Sequence, residues 1–227
     1  MFLAWPRPDP AIPAWPVPEA ALRFEALVFP YLEAARARLG RQKQYARLLA
    51  KGGRAADGLR GWLDEAAACI TALARPQAVF RPVAAHLTDR GVRIAERVTL
   101  ADEGLARDVV AGGTVAAYLL TLGYDQAAAF ARLGGDYAAH HVQSDLAGEV
   151  LFALGRDAHA RYRATGAGRL RRIPVQAHAL CGERKVWDPA RVQALLTVFD
   201  GANPGVTLTD TGCFQPLNSL LGLTVRC

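Results

Sequence analysis

Three side chains suited to acid–base or metal chemistry, His141, Asp145 and Glu149, follow one another at intervals of four residues. On an α-helix this spacing places all three on one face. An imidazole and carboxylates on one face can ligate a metal ion or act as a general-base pair. The pattern therefore predicts a candidate site for a metal- or phosphate-dependent hydrolase. A solvated, ion-paired helix face is the alternative interpretation.

The segment that begins at this histidine, HVQSDLAG over residues 141–148, resembles the His-x-x-x-Asp element of the phosphatidic acid phosphatase type 2 family. The resemblance implies that His141 is a phosphoryl nucleophile oriented by Asp145, with Arg81-Pro82 as the upstream Arg-Pro element. The family's Pro-Ser-Gly-His has no counterpart, and a second alignment places the aspartate on Asp108 instead. The resemblance therefore implies a degenerate phosphatase that has lost catalysis.

Basic residues point to a second kind of chemistry, the binding of a polyanion. The chain of 227 residues carries a net charge of +6, and this excess is concentrated in two segments. Residues 36–60 hold eight Lys or Arg and one acid, and residues 156–191 hold nine basic and three acidic residues. We call these segments the first and the second basic belt. Because a solvated surface normally mixes the two signs, we expect the belts to contact phosphates.

This charge distribution gives the leading functional hypothesis, a non-enzymatic, basic helical protein that binds nucleic acid through backbone phosphates. We expect it to be a cytoplasmic homodimer without a cofactor, and a DNA-binding regulator is the specific form of this hypothesis. One alternative is the hydrolase centred on His141, Asp145 and Glu149, and a second is a structural or assembly subunit whose basic belts meet an acidic protein. The expected phosphate contacts are Arg41, Lys43, Arg47, Lys51, Arg54, Arg169, Arg171 and Arg172.

Residues 43–98 resemble a winged helix-turn-helix. Tyr45–Leu49, Gly52-Gly53 and Leu59–Leu63 have the outline of two helices around a glycine turn. The stretch from His86 to Arg97 is similar to the passage from the wing to the next helix. The resemblance implies DNA binding, but the turn is longer than the family's, and the second helix has few residues that read base edges.

The elements that position these residues are mostly helical. Apolar residues at helical spacing predict helices near residues 24–39, 41–51, 58–74, 100–122 and 136–154, and Asp188-Pro189 predicts a helix that ends near residue 199. Residues 77–87 allow at most an edge strand because of Pro82. Short strands are predicted at 170–176, 206–209 and 220–226. The predicted fold class is therefore mainly α, with a helical domain at 19–164 and a small α+β C-terminal subdomain at 169–227.

The N-terminal residues 1–18 hold six of the 13 prolines, which predicts an extended arm. The N-terminus has no pattern typical of a signal peptide. The longest uncharged apolar run, residues 109–124, is shorter than the roughly 20 residues that span a bilayer, so we expect a buried core helix there. Cys69, Cys181, Cys213 and Cys227 form no CxxC motif. We expect reduced thiols, although a pair among the last three stays open.

Overall fold

The computed structural model describes residues 20–174, 178–181 and 184–227. The helices are α1 (Phe29–Leu39), α2 (Lys43–Lys51), α3 (Gly53–Leu73), α4 (Glu103–Val110), α5 (Gln126–Arg132), α6 (Tyr137–Ala164) and α7 (Pro189–Leu196), followed by a 3-10 turn, Thr197–Phe199. The strands are β1 (Leu22–Glu25), β2 (Gln77–Val83), β3 (Ala85–Thr88), β4 (Gly91–Ile94), β5 (Val98–Leu100), β6 (Thr114–Thr121), β7 (Leu170–Pro174), β8 (His178–Cys181), β9 (Arg184–Trp187), β10 (Thr207–Leu208), β11 (Phe214–Gln215) and β12 (Ser219–Arg226).

Five strands form one antiparallel sheet in the order β1-β2-β6-β12-β7. The central strand β6 pairs with β2 on one side and with β12 on the other, over the whole length of β12. Strands from the middle of the chain therefore lie beside the last strand in sequence. The strands β3, β4 and β5 form a smaller sheet, and β8 with β9 and β10 with β11 each form a two-stranded sheet.

Both faces of the large sheet are buried because successive residues of a strand point to opposite faces. On one face, Phe80, Tyr118 and Leu120 pack in a core with residues of α1, α3 and α6. On the other face, Leu119 and Leu223 pack in a second core with the small sheet, α4 and α7. The sheet is thus the middle layer of a mixed α+β fold.

This architecture shows that the predicted fold class, a mainly helical body with a small α+β tail, is wrong. The error arises at residues 109–124, which contain β6 and not a core helix. A strand buried on both faces has no polar alternation, so its apolar run looks like a buried helix. Gly112 and Gly113 turn the chain between α4 and β6, and Gly112 has a φ of +82°.

Residues 77–83 form an interior strand, although Pro82 suggested at most an edge strand. The pairing of β1 with β2 ends at the Leu22–Phe80 pair, so β2 is flanked only by β6 at Pro82. Proline has no N–H to donate, and here β1 no longer lies beside it. The strand is interior at one end and an edge at the other.

Two helix boundaries also differ from the prediction. The helix predicted from residue 24 begins only at Phe29, because residues 22–25 pair with β2, and Pro30 lies in the first turn instead of kinking a helix. Helix α6 continues through Gly155, the predicted stop, to Ala164. A Cβ at Gly155 would lie 3.1 Å from a methyl carbon of Leu120, so this glycine permits close packing on β6.

Beyond α2 and α3, the structure does not match a winged helix-turn-helix. Residues 85–94 form the β3–β4 hairpin, and residues 94–97 are a tight turn where the family would begin a helix. Thr88 closes the hairpin, and Thr99 lies in β5. Asp102 caps α4 and accepts the Leu105 N–H at 2.7 Å.

The elements predicted for the C-terminal part agree better with the structure. Helix α7 begins at Pro189 with Asp188 as its cap, and the predicted strand at 220–226 is part of β12. Strands β7 and β12 pair in the large sheet, so the C-terminal part and the preceding residues share both cores. The proline-rich arm at 1–18 lies outside the described residues. No helix within the described ranges is long and apolar enough to cross a membrane.

Candidate functional site

The hydrolase candidates lie on α6, as predicted, but their carboxylates bind the neighbouring helices. Asp145 accepts a hydrogen bond of 2.6 Å from the Tyr45 hydroxyl, and Glu149 accepts one of 3.0 Å from Gln42. Burial raises the pKa of Tyr45, and its bond to Asp145 adds to the shift. His141 is 73% exposed and lies 3.9 Å from Asp145. These carboxylates therefore attach α2 to α6.

The phosphatase interpretation also needs Arg81 close to His141. Arg81 lies on β2 between Val79 and Val83, which belong to the core on the α4 and α7 side of the sheet, and it donates to the Asp200 carbonyl at 2.9 Å. His141 lies on α6, on the opposite side of that sheet. Among the described residues, no group of three or more His, Cys, Asp and Glu could hold a metal ion.

All five contact residues predicted in the first basic belt are exposed, and no described acid forms an ion pair with any of them. These residues are Arg41, Lys43, Arg47, Lys51 and Arg54. The contact residues predicted in the second belt behave differently. Arg171 is ion-paired with Asp108 through its Nε at 2.7 Å, whereas Arg169 and Arg172 are exposed.

The phosphate contacts predicted on α2 and those predicted on β7 lie at different places along α6. Helix α2 docks on α6 at Asp145 and Glu149, while β7 follows the C-terminal end of α6 at Ala164. Fifteen residues separate Glu149 from Ala164, which is about 22 Å along a helix. Acidic side chains of α6 also lie along this path, since Tyr31 of α1 donates to Asp157 at 2.7 Å. Nucleic-acid binding stays a prediction that this geometry does not favour.

A different group of polar and aromatic residues meets where α6 crosses the sheet. Phe80, Tyr118, Gly222 and Pro174 are register partners in one row across β2, β6, β12 and β7. A Cβ at Gly222 would lie 2.3 Å from the Tyr118 hydroxyl oxygen. The Tyr118 ring therefore lies across β12, and its hydroxyl end is directed toward β7.

His159 of α6 lies over this row. Its ring centroid is 4.5 Å from that of Tyr118 and 5.0 Å from that of Phe80, and both pairs are edge-to-face. The Nδ1 atom is 2.6 Å from the Gly155 carbonyl oxygen, which can only accept a hydrogen bond. Nδ1 therefore carries the proton, and Nε2 is left as an acceptor. Nε2 is buried and has no partner among the described residues.

Arg172 supplies a positive charge near this row of residues. It lies two residues before Pro174, on the same face of β7. Burial lowers the pKa of His159 to about 4, the Gly155 carbonyl acts against this shift, and the Arg172 charge adds to it. Burial also raises the pKa of Tyr118, and the same Arg172 charge opposes that rise. At neutral pH the site thus combines a neutral imidazole acceptor, a neutral phenol and an exposed guanidinium.

Arg172 is predicted from the sequence only as a phosphate contact, and Tyr118, His159 and Gly222 are not predicted as site residues. One signal was available, because an isolated glycine within an apolar strand often marks the close approach of another group. Gly222 interrupts such a strand, but nothing local shows that Tyr118 fills the space.

Two of the three C-terminal cysteines can be assessed. Cys213 and Cys227 are free and exposed, and Cys69 is free and buried. The side chain of Cys181 lies outside the described residues. The open possibility of a pair between Cys213 and Cys227 is therefore not realised in this structure.

Comparison with known proteins adds a fold likeness. No protein-family model matches the chain, and no curated protein sequence matches it. Among solved structures, the chain is similar to the crystal structure of the MetH reactivation domain bound to AdoHcy, with a TM-score of 0.60 and 15% identity. The match covers 91% of this chain and 78% of that one.

At this identity the likeness shows the fold alone. It agrees with the mixed α+β architecture and confirms that the expected all-α character is wrong. The similar domain is bound to a small molecule, so the likeness gives the expected DNA-binding character no support.

Proposed function

We propose that this chain is a small-molecule-binding domain whose ligand combines an anionic group with an N–H donor, and that an adenosyl thioether of the AdoHcy type is the first candidate. The observation that carries the proposal is the buried, unpartnered Nε2 of His159 close to Tyr118 and to the exposed charge of Arg172. A buried acceptor without a donor costs about 1–3 kcal/mol, so a ligand that supplies an N–H gains this contribution.

The donor and acceptor set fits the chemistry of AdoHcy. That molecule carries a carboxylate, an ammonium group and the exocyclic amino group of adenine. The Arg172 guanidinium is suited to the carboxylate, because charge-assisted hydrogen bonds to carboxylates are the strong ones. The His159 Nε2 can accept from either N–H group, and the Tyr118 phenol offers a hydroxyl and an aromatic ring. The MetH reactivation domain, similar in fold, is bound to this same ligand.

Isothermal titration calorimetry of the purified chain with AdoHcy tests the proposal. We expect binding of AdoHcy, and weaker binding of adenosine, which lacks the carboxylate. The variant Arg172→Gln should weaken AdoHcy binding by about 10- to 100-fold, as expected for a lost charge-assisted hydrogen bond. It should leave adenosine binding unchanged.

The matched control is Arg47→Gln, which removes another exposed charge, on α2, and should leave AdoHcy binding unchanged. Nuclear magnetic resonance of the imidazole nitrogens supplies an independent signal, since the His159 Nε2 resonance should move when AdoHcy saturates the protein. The proposal fails if AdoHcy does not bind at millimolar concentration, or if both arginine variants weaken binding equally.

Within this proposal the chain is cytoplasmic, because the free, exposed thiols of Cys213 and Cys227 are typical of a reducing compartment. Dimerisation is a separate part of the proposal. Light scattering across a range of protein concentrations decides between a monomer and a dimer.

A further inference from the structure

Helix α2 presents an exposed basic stripe. Lys43, Arg47 and Lys51 are spaced by four residues, so they lie on one face of the helix, and all three are exposed. None of them has an ion pair with a described acid. The stripe is about 12 Å long at 1.5 Å per residue. We refer to these three side chains, with Leu48 beside them, as the α2 face.

Local stability does not account for these charges. Lys43 occupies the first turn of α2, where the helix dipole favours an acid, and that turn contains no acidic residue. The N-cap residue Gln42 makes no capping bond, because its side chain donates to Glu149 instead. A helix whose N-terminus lacks a side-chain cap and carries a cation is not optimised for its own stability.

Leu48 adds an apolar side chain at the edge of the stripe. It is 37% exposed, whereas the next residue, Leu49, packs against the helical core. A partner that pairs with the cations can also bury this side chain, and protein–protein interfaces combine apolar and polar contacts in this way. On the opposite side of α2, Tyr45 is buried and bonded to Asp145, so the helix is firmly held to α6.

Acidic side chains limit the extent of this surface. Asp145, at one border, accepts from Gln44 at 3.4 Å, and Asp57 is exposed one turn beyond Arg54. A nucleic acid or an anionic membrane that extended past the stripe would meet these carboxylates. A folded protein can place a few carboxylates opposite the cations and leave the border free.

We propose that the α2 face is the docking surface for an acidic patch on a protein partner, with Leu48 at the edge of the contact. Electrostatic attraction at such a surface speeds association and fixes the orientation of the partner. The surface is separate from the Tyr118–His159–Arg172 site, since it lies on the first basic belt.

Fluorescence anisotropy with three labelled probes tests this assignment at low and at moderate salt. The probes are a 15-residue acidic helical peptide that carries glutamates at four-residue spacing and one leucine, a 15-base-pair DNA duplex, and phosphatidylserine vesicles. We expect the peptide to bind most tightly. The combined variant Lys43→Glu, Arg47→Glu, Lys51→Glu should weaken peptide binding at least tenfold.

The matched control reverses three exposed charges elsewhere, Arg90→Glu, Arg97→Glu and Arg132→Glu, and should change peptide binding less than twofold. The variant Leu48→Ser should weaken peptide binding about equally at both salt concentrations, since apolar burial is not screened by ions. Urea unfolding of each variant verifies that it is folded.

Tighter binding of the duplex or of the vesicles than of the peptide would overturn the proposal, as would an equal effect of the two triple variants. The test is independent of the proposed ligand site. The triple variant of α2 should still bind AdoHcy, and Arg172→Gln should still bind the peptide.

Discussion

The contact between Gly222 and Tyr118 predicts a specific packing defect when Gly222 is replaced by alanine. The new Cβ would lie 2.3 Å from the ring carbon Cζ and from the hydroxyl oxygen of Tyr118. The ring has little room to move, because it is buried and packed against His159 and Phe80.

Two opposing contributions set the magnitude. Overpacking of a buried site costs about 1–3 kcal/mol. Replacing glycine by alanine within a strand contributes about 0.5–1 kcal/mol in the opposite direction, because glycine loses more backbone entropy on folding. Because a Cβ at 2.3 Å from a buried ring is a severe overlap, the overpacking cost lies in the upper part of this range, and we expect Gly222→Ala to lower the free energy of unfolding by about 1–2.5 kcal/mol. Equilibrium urea unfolding should show a lower midpoint and an unchanged slope.

Two further variants isolate the cause. In a Tyr118→Leu background the ring is absent, so Gly222→Ala should cost nothing or stabilise slightly, which a double-mutant cycle measures as coupling. Gly61→Ala is the matched control, since no atom lies within 4 Å of its Cβ and it occupies the interior of α3. That change should stabilise the protein by about 1 kcal/mol. A Gly222→Ala protein as stable as the wild type would refute the packing argument.

Two other predictions concern α6. Burial lowers the pKa of His159 to about 4 from 6.5, so the unfolded chain binds a proton that the folded chain does not between these pH values. The free energy of unfolding should therefore fall as the pH drops from 6.5 toward 4, by an amount on the order of 3 kcal/mol. Urea titrations should show a shallower fall for His159→Leu, and parallel curves would contradict this. Asp136 accepts from the Ala138 and Ala139 N–H groups at the start of α6, so Asp136→Ala should cost about 1 kcal/mol in thermal or urea unfolding. Asp125→Ala is the control, because Asp125 is the N-cap residue of α5 but makes no capping bond; an equal cost would argue against capping.

Several local elements could be predicted from the sequence because their signals are short in range. Helix α2 ends at Gly52, and α7 begins after the cap at Asp188. The spacing of His141, Asp145 and Glu149 correctly placed them on one helix. In each case the residues that decide the structure are within a few positions of one another.

The environment of those same residues was decided elsewhere. Asp145 and Glu149 were candidates for catalysis, but Tyr45 and Gln42, about 100 positions earlier, take up their carboxylates. The charge pattern of the sequence shows the two basic belts, but only the docking of α2 near residues 145–149 of α6 separates the predicted contacts on α2 from those on β7. Spacing along one helix carries no information about which other helix will face it.

What the sequence by itself determined is the set of helices with clear caps, the strand β12 and the unbalanced charge of α2. The tertiary structure alone decided that β6 is a central strand, because burial on both faces removes the alternation that distinguishes a strand from a helix. It also decided the candidate ligand site. Tyr118, His159, Arg172 and Gly222 come from four separate elements, and they meet only because β12 pairs between β6 and β7 beneath α6. The order of these strands is held by backbone hydrogen bonds, and every residue type except proline can form them. No local sequence pattern therefore shows which strands will be neighbours.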